Sequence, residues 1–430
     1  MSPTRPDPAG FALAELAPAA QSILAAARLV LERDGYAGLT LSRIAAEAGA
    51  TKSLIAYHFG GKDGLLAALV DSLWHDEDLD LVRRLDHLPD APAARLRTLI
   101  DVHHELALMT PEFRMYFDLL PSLMRDTRAR RSHAELNRTY RSLGVKALAG
   151  TILGADEQLA MASLLLAVNE GAGALLILDP GGFDHEGAFA LLQSLAAARA
   201  RVQAGAHAAR TPARDDGAEG TRSGSDVTSE QPDIRVTLAD PAAGLPPVAR
   251  RLLDGAVRVL TRDGLSRLTF EAVADASGEP RSATTYYFGD KHGLVIAVHD
   301  TLLFRAQRLA ALRLRAAAAA EGGDPLAGMP AHAQDGLRTF RTLYELFPAI
   351  MNDDALRALQ ADHLAWLRAA MAAAADACGA AWDRALVDLA LALTYGLPIQ
   401  LLLDRRGLDP QPVLAMWRSL VAVRAQASPD

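Results

Sequence analysis

The chain has 430 residues, half of them apolar, only 5% aromatic, with a formal net charge of −8 and a single cysteine. That length suggests two to four domains, and a lone Cys378 excludes an intramolecular disulfide and a cysteine-built metal cage. The acidic balance runs against the basic bias common among nucleic-acid binders, so any such contact must rest on locally placed residues.

Residues 1–18, opening Met-Ser-Pro-Thr-Arg-Pro-Asp-Pro, read as a flexible tail without the apolar core of a signal peptide. From there the abundance of Ala and Leu favours helix, and no segment alternates apolar and polar residues as a strand would. Residues 19–34 carry apolar side chains at helical spacing and stop at Gly35. Thr40 can cap a short helix over 41–48, Gly49 makes a tight turn, and Thr51 can cap a second short helix to about Tyr57. Gly60 and Gly61 break the chain before a longer helix from Lys62 to about residue 75. Residues 76–205 read as further helices. Within them His103, His104, Tyr116, Asn169 and Glu170 are polar residues in apolar stretches, hence candidates to line a small-molecule site. Neighbouring on one helix, His103 and His104 point to different faces and would not share a metal. The most apolar runs, 159–178 and 386–403, contain Asn169 with Glu170 and Asp388 with Pro398, and so read as buried helices rather than membrane spans. A cytoplasmic chain without a membrane partner is expected.

The pattern then returns. Leu31-Glu-Arg-Asp-Gly35 recurs as Leu260-Thr-Arg-Asp-Gly264, Tyr57-His-Phe-Gly60 as Tyr286-Tyr-Phe-Gly289, and Lys62-Asp-Gly-Leu65 as Lys291-His-Gly-Leu294, all at an offset of 229. Weaker matches continue at 227 (Pro121 with Pro348, Met124 with Met351, Asp126 with Asp353) and at 225 (Gly171 with Gly396, Asp179 with Asp404). The whole unit is therefore duplicated. Between the copies, residues 206–246 are rich in Gly, Ser, Asp, Thr and Pro and read as a flexible linker. The division expected is 19–75 and 247–304 for two short-helix domains, with 76–205 and 305–430 as the helical domains behind them. In the second helical domain Tyr344, Asn352, Tyr395 and Gln400 are the polar candidates.

Two short helices joined at Gly49 form a helix-turn-helix, whose second helix can present its N-terminal residues to base edges in a major groove. The run from Gly35 to Leu65, with Thr40, Ile44-Ala45, Ala48-Gly49, Tyr57, His58-Phe59, Lys62 and Leu65 at their spacings, resembles the N-terminal domain of the TetR family of transcriptional regulators. The resemblance covers about fifty-five residues of each copy. It implies an all-α chain with two helix-turn-helix domains, each followed by a helical-bundle domain for effector binding and dimerisation.

What it implies at the residue level agrees with the chemistry. Thr40, Tyr57, His58 and Lys62 would hold phosphates, with hydroxyl, imidazole and ammonium donors gathered at helix starts. Ser42, Thr51 and Lys52 would complete the surface, Lys52 lying one residue past the cap of the recognition helix. The second copy offers Thr269, Arg281, Thr284, Tyr286, Tyr287 and Lys291, with Arg250 and Arg251 opening its first helix. It departs from the first in Pro280, which replaces the cap, and in Glu271, an acid where Ser42 stands. The implied partners are a double-stranded DNA operator and an unknown small-molecule effector, with no cofactor, no metal and no catalysis. The last helix pairs, 157–178 with 186–203 and 381–403 with 410–427, are expected to dock within one chain as an intramolecular pseudo-dimer, a homodimer being the alternative. The rival reading is a helical ligand-sensing or scaffold protein with one or both DNA modules degenerate.

Overall fold

A computed structural model describes residues 16–73, 84, 87–151, 153–209, 234–319, 334–380, 382–404 and 407–427. Among the described residues there are eighteen α-helices and no strand. The first half holds α1 (Pro18–Gly38), α2 (Leu41–Glu47), α3 (Lys52–Phe59), α4 (Lys62–Leu73), α5 (Pro92–Ala107), α6 (Thr110–Arg125), α7 (Thr127–Leu148), α8 (Ala155–Leu178) and α9 (His185–Ala209). The second holds α10 (Pro247–Asp263), α11 (Phe270–Ser277), α12 (Arg281–Phe288), α13 (Lys291–Ala318), α14 (Gln334–Tyr344), α15 (Phe347–Met351), α16 (Asp354–Ala377), α17 (Arg384–Leu403) and α18 (Pro410–Ala427).

The short helices form because their ends are written locally. Thr40 and Thr51 stand in extended backbone and accept from the amides of Arg43 at 3.3 Å and Leu54 at 3.1 Å, each satisfying a donor with no helical partner. Thr269 repeats this on Ala272 at 3.1 Å. Between α2 and α3 the chain reverses through Gly49 at φ 60°, and between α11 and α12 through Gly278 at φ 72°, a conformation costly to a side chain with a Cβ. α1 presents Ile23, Leu24, Ala27, Val30 and Leu31 as one buried stripe against Ile44, Ile55, Phe59, Leu65 and Leu69. α10 does the same with Leu252, Leu253, Ala256, Val259 and Leu260 against Val273, Leu294 and Val298. Each fully buried aliphatic contributes about 1.5–3 kcal/mol before entropy is charged against it, so these three-helix units are held chiefly by α1 and α10.

The halves meet along α8 and α17, equivalent helices of the repeat, with α9 and α18 packed across them. Both central helices are apolar enough to span a membrane by composition, but their apolar windows are 89% and 100% buried inside this bundle. At the crossing a Cβ added to Gly171 would lie 1.7 Å from the Ala392 carbonyl oxygen, and one added to Gly396 would lie 1.8 Å from that of Ala167. Two reciprocal ion pairs flank it. Arg141 on α7 reaches Asp404 beyond α17 at 2.6 Å, and Arg368 on α16 reaches Asp179 beyond α8 at 2.6 Å. The arginines are repeat equivalents, as are the aspartates.

One expectation is corrected. The linker expected over 206–246 begins in helix, since α9 runs to Ala209, and its end is packed rather than free. Ile234 is buried, Trp366 donates its indole N–H to the Arg235 carbonyl at 2.7 Å, and the amides of Thr237 and Leu238 both donate to Gln307 Oε1 at 3.3 Å. Ile234 belongs to the hydrophobic core and Val236 and Leu238 pack against it, while Gln307 and Trp366 tie this strap to α13 and α16. Residues 210–233 of the expected linker, 1–15 of the expected tail and Ala381 lie outside the described residues.

Candidate nucleic-acid interface and buried cavity

The faces made by α2–α4 and α11–α13 carry the same exposed set twice. Tyr57 is 82% exposed and its repeat equivalent Tyr286 81%. Large aromatics are rarely left in water singly at matched positions for packing reasons. Beside them His58 and Tyr287 are half-buried, each ring edge-on to its neighbouring tyrosine at 5.1 and 4.9 Å. Ser42, Thr51 and Lys52 are exposed on the first face, and Thr269, Arg281 and Lys291 on the second. Lys62 opens α4 with Nζ 4.7 Å over the ring of Tyr36. Three helix N-termini and these donors make a surface suited to phosphate oxygens.

Not every expected residue belongs to it. Thr284 is fully buried, with its hydroxyl unpartnered, at the position held by the equally buried Ile55 in the first half. It is a core residue of the three-helix unit, because the fourth position of a short helix beginning at the turn faces inward. Arg250 is exposed but gives Nε to the Leu245 carbonyl at 2.8 Å, and Arg251 pairs with Glu279, the residue before Pro280, at 2.5 Å. Arg251 therefore anchors the turn leading into α12. Glu271 is exposed beside Thr269, an acid on the presented face.

Behind the first face lies a cavity whose empty space, mouth included, is about 640 Å³, lined by apolar residues such as Leu99, Phe113 and Leu166 and by His103, Tyr116, His133, Asn137, Asn169 and Glu170. Asn169 donates to the His103 carbonyl at 2.7 Å, and the His103 ring bonds the Leu99 carbonyl at 2.7 Å. The Tyr116 hydroxyl lies 3.1 Å from His133 Nε2, which also accepts from Asn137 at 3.3 Å. Glu170 is buried with Oε1 3.9 Å from His133 Nε2 and with Oε2 unpartnered. Burial pushes the Glu170 carboxyl up to about 8, with Arg141 opposing, and pushes the His133 imidazole down to about 4. Both are mainly neutral near pH 7.

A thread of contacts joins cavity to face. Asp118, five residues from Phe113 and two from Tyr116 on α6, accepts the Tyr36 amide where α1 is interrupted at Gly35, and the Tyr36 ring lies under Lys62. Burial raises the Asp118 carboxyl, and the Tyr36 amide works against that rise.

Comparison with known proteins completes the assignment. The family described as bacterial regulatory proteins, tetR family, matches residues 23–69 and again 252–298. This chain carries the tetR-family domain twice. Similar proteins include the HTH-type transcriptional regulator BetI of Paraburkholderia phymatum, 26% identical over 123 residues, which is 28% of this chain and 63% of that protein. BetI of Vibrio vulnificus is 32% identical over 19% of this chain and 41% of its own length, and BetI 2 of Chromohalobacter salexigens 32% over 21% and 44%. The chain thus spans less than two thirds of the length of each of these relatives.

Around the two tetR-family domains the expected effector residues separate. His103, Tyr116, Asn169 and Glu170 converge on the cavity. His104 does not: it turns to α9, 2.9 Å from His185 Nδ1 and stacked on Phe189 at 4.5 Å. Asn352 is exposed and bridges the halves by accepting from Arg114 at 2.7 Å. Tyr344 donates to the Tyr395 carbonyl at 2.5 Å, Gln360 to the Tyr395 hydroxyl at 3.0 Å, and Gln400 lies buried on α17. Sequence reasoning missed His133, Asn137 and Arg141. Their spacing of four along otherwise charged α7 is the signal that could have found them, since it marks one inward face.

Proposed function

We propose that the chain is a cytoplasmic, non-catalytic transcriptional regulator that binds a double-stranded DNA operator with α3 and α12 as recognition helices, and that a small molecule in the first-half cavity alters that binding. The matched exposed sets around Tyr57 and Tyr286, on the two tetR-family domains, carry this reading. The docking of α8, α9, α17 and α18, with its reciprocal ion pairs, supports a single chain acting as the pseudo-twofold unit. Residues 19–75 with 247–304 are then the DNA-binding domains, and 76–205 with 305–430 the domains behind them. A ligand that presses on Tyr116 moves α6, and Asp118 passes the shift to Tyr36 and the start of α4, changing how the two recognition helices fit their grooves. Release of an operator on ligand binding makes the regulator a repressor.

The deciding experiment is selection of bound sequences from a random duplex library by the full chain, followed by mass measurement of the complex. One chain per selected duplex supports the proposal, and no enrichment, or an obligate dimer of chains at micromolar concentration, overturns it.

A further inference from the structure

The two halves differ in chemistry at one pair of equivalent buried positions, Glu170 and Tyr395. In the second half Tyr395 is locked in place. Its hydroxyl receives Gln360, its carbonyl receives Tyr344, and His299 Nε2 bonds Gln360 Oε1 at 3.1 Å. In the first half the same place holds a buried carboxyl with one oxygen unpartnered, opening on a cavity. We propose that the first-half cavity takes an organic cation, a protonated amine on an apolar body, with its nitrogen on Glu170, and that Tyr395 closes the second half to such a ligand.

The lining supports the cation. Apart from Glu170, two neutral histidines and the amides of Asn137 and Asn169, the wall is aliphatic or aromatic, with the rings of Phe113, Tyr116 and Tyr140 among its lining. The groups facing Glu170 from the elements around it are His103 on α5, Tyr116 on α6, His133, Asn137 and Arg141 on α7, Tyr344 on α14 and Gln400 on α17, with Asp404 just beyond α17 acting on His133. Arg141 is the one cation among them. It is held by Asp404 at 2.6 Å and does not line the cavity, so it leaves no positive wall for an anion. A neutral polar ligand would be served as well by an amide. Asn137 and Gln400 oppose the burial of Glu170 only in part, leaving Oε2 without a partner inside a largely apolar cavity, a costly arrangement that a desolvated ammonium repays best. Because burial holds Glu170 protonated near neutrality, the arriving ammonium displaces its proton to solvent, one proton per ligand. Amine affinity therefore rises from pH 6 to 8.

The class of ligand rests on the effector reading above only for its biological use, and the test separates the two. The full chain is titrated calorimetrically at pH 7 with 4-phenylbutylamine, 4-phenyl-1-butanol and 4-phenylbutyrate, in two buffers of different ionisation enthalpy. The expected result is one amine per chain, bound at least tenfold tighter than the alcohol, with release approaching one proton and no binding of the carboxylate. Glu170→Gln is expected to cost the amine at least tenfold and leave the alcohol unchanged; the wild-type preference and proton release stand as the test should that variant not fold. Two amines per chain, an alcohol or carboxylate that binds as well as the amine, an unaffected Glu170→Gln, or no amine binding up to millimolar concentration overturns the proposal. Tight amine binding with unchanged operator affinity upholds the ligand class and overturns the effector reading.

Discussion

Gly171 and Gly396 stand back to back where α8 crosses α17, each without the Cβ that would collide with a carbonyl oxygen of the facing helix. The carbonyls concerned, of Ala392 and Ala167, are themselves repeat equivalents, so the contact is reciprocal. Helix backbone cannot yield as a side-chain tip can, and overpacking of a tight contact costs typically 1–3 kcal/mol. Gly171→Ala and Gly396→Ala are each expected to destabilise by about that amount, read as a lowered urea midpoint with an unchanged slope. An unchanged midpoint in both would show that the halves do not hold this crossing in solution.

The buried ion pairs make a second prediction. Truncating Arg141 to Ala leaves buried Asp404 only the distant Arg138 at 3.8 Å, and Arg368→Ala strands Asp179, whereas Asp388, which Arg368 also binds at 2.7 Å, keeps Arg384. Removing one partner of a buried pair costs roughly 3–5 kcal/mol. Each single variant is expected near that range in denaturant unfolding, and Arg141→Ala combined with Asp404→Ala is expected to recover part of the loss.

Acid should weaken the fold through its buried imidazoles. Burial lowers His133 and His299 to about 4 and His363 to about 3, whereas the unfolded residues keep an ordinary value near 6.5. The unfolded chain therefore takes up these protons first, so their stabilisation is complete above pH 6.5 and is lost as pH falls toward 4. Glu170, raised to about 8, and Asp71, raised to about 6, act in the opposite sense, gaining stability as pH falls through their own ranges. A difference isolates one group: His133→Gln, the residue that Gln360 supplies in the second half, should flatten the acid limb between pH 6.5 and 4.5. The expected change is about 1.4 kcal/mol per pH unit, measured by denaturant unfolding at several pH values.

On DNA, lysine-to-phosphate contacts carry no base information. Lys62→Ala and Lys291→Ala are expected to weaken binding about equally across sequences and to reduce the salt slope by roughly one each. Lys52→Ala and Arg281→Ala are expected to change which bases are preferred. Thr284→Ala is expected to leave DNA preference unchanged, because that side chain is buried. Anisotropy titrations over a salt series distinguish these outcomes.

The recognition helices, Lys52-Ser-Leu-Ile-Ala-Tyr-His-Phe and Arg281-Ser-Ala-Thr-Thr-Tyr-Tyr-Phe, present different side chains, so the selected operator should have two unlike half-sites. A strict palindrome would mean that two chains read through the same helix.

Much of the fold is legible in the sequence, and the reasons are local. Thr40, Thr51 and Thr269 announce helix starts because capping is decided within three residues. The repeat, followed as its offset drifts from 229 to 225, makes Gly171 and Gly396 equivalents from the sequence alone. The rest depends on which way a face turns. Thr284 read as a DNA hydroxyl, though its repeat equivalent Ile55 already argued for the core. His104 and Asn352 were drawn off by neighbours distant in sequence, His185 and Arg114. The alternation of Ile234, Val236 and Leu238 was the trace of a packed strap within a segment whose overall composition spoke for a linker.

The joining of both halves in one polypeptide has a consequence for dosage. A regulator that must first find a second copy of itself occupies DNA in proportion to the square of its abundance when scarce. With α8 and α17 already together, the single-chain unit proposed above would occupy DNA in direct proportion to the number of chains, and its response would stay graded down to the few molecules that one cell inherits at division.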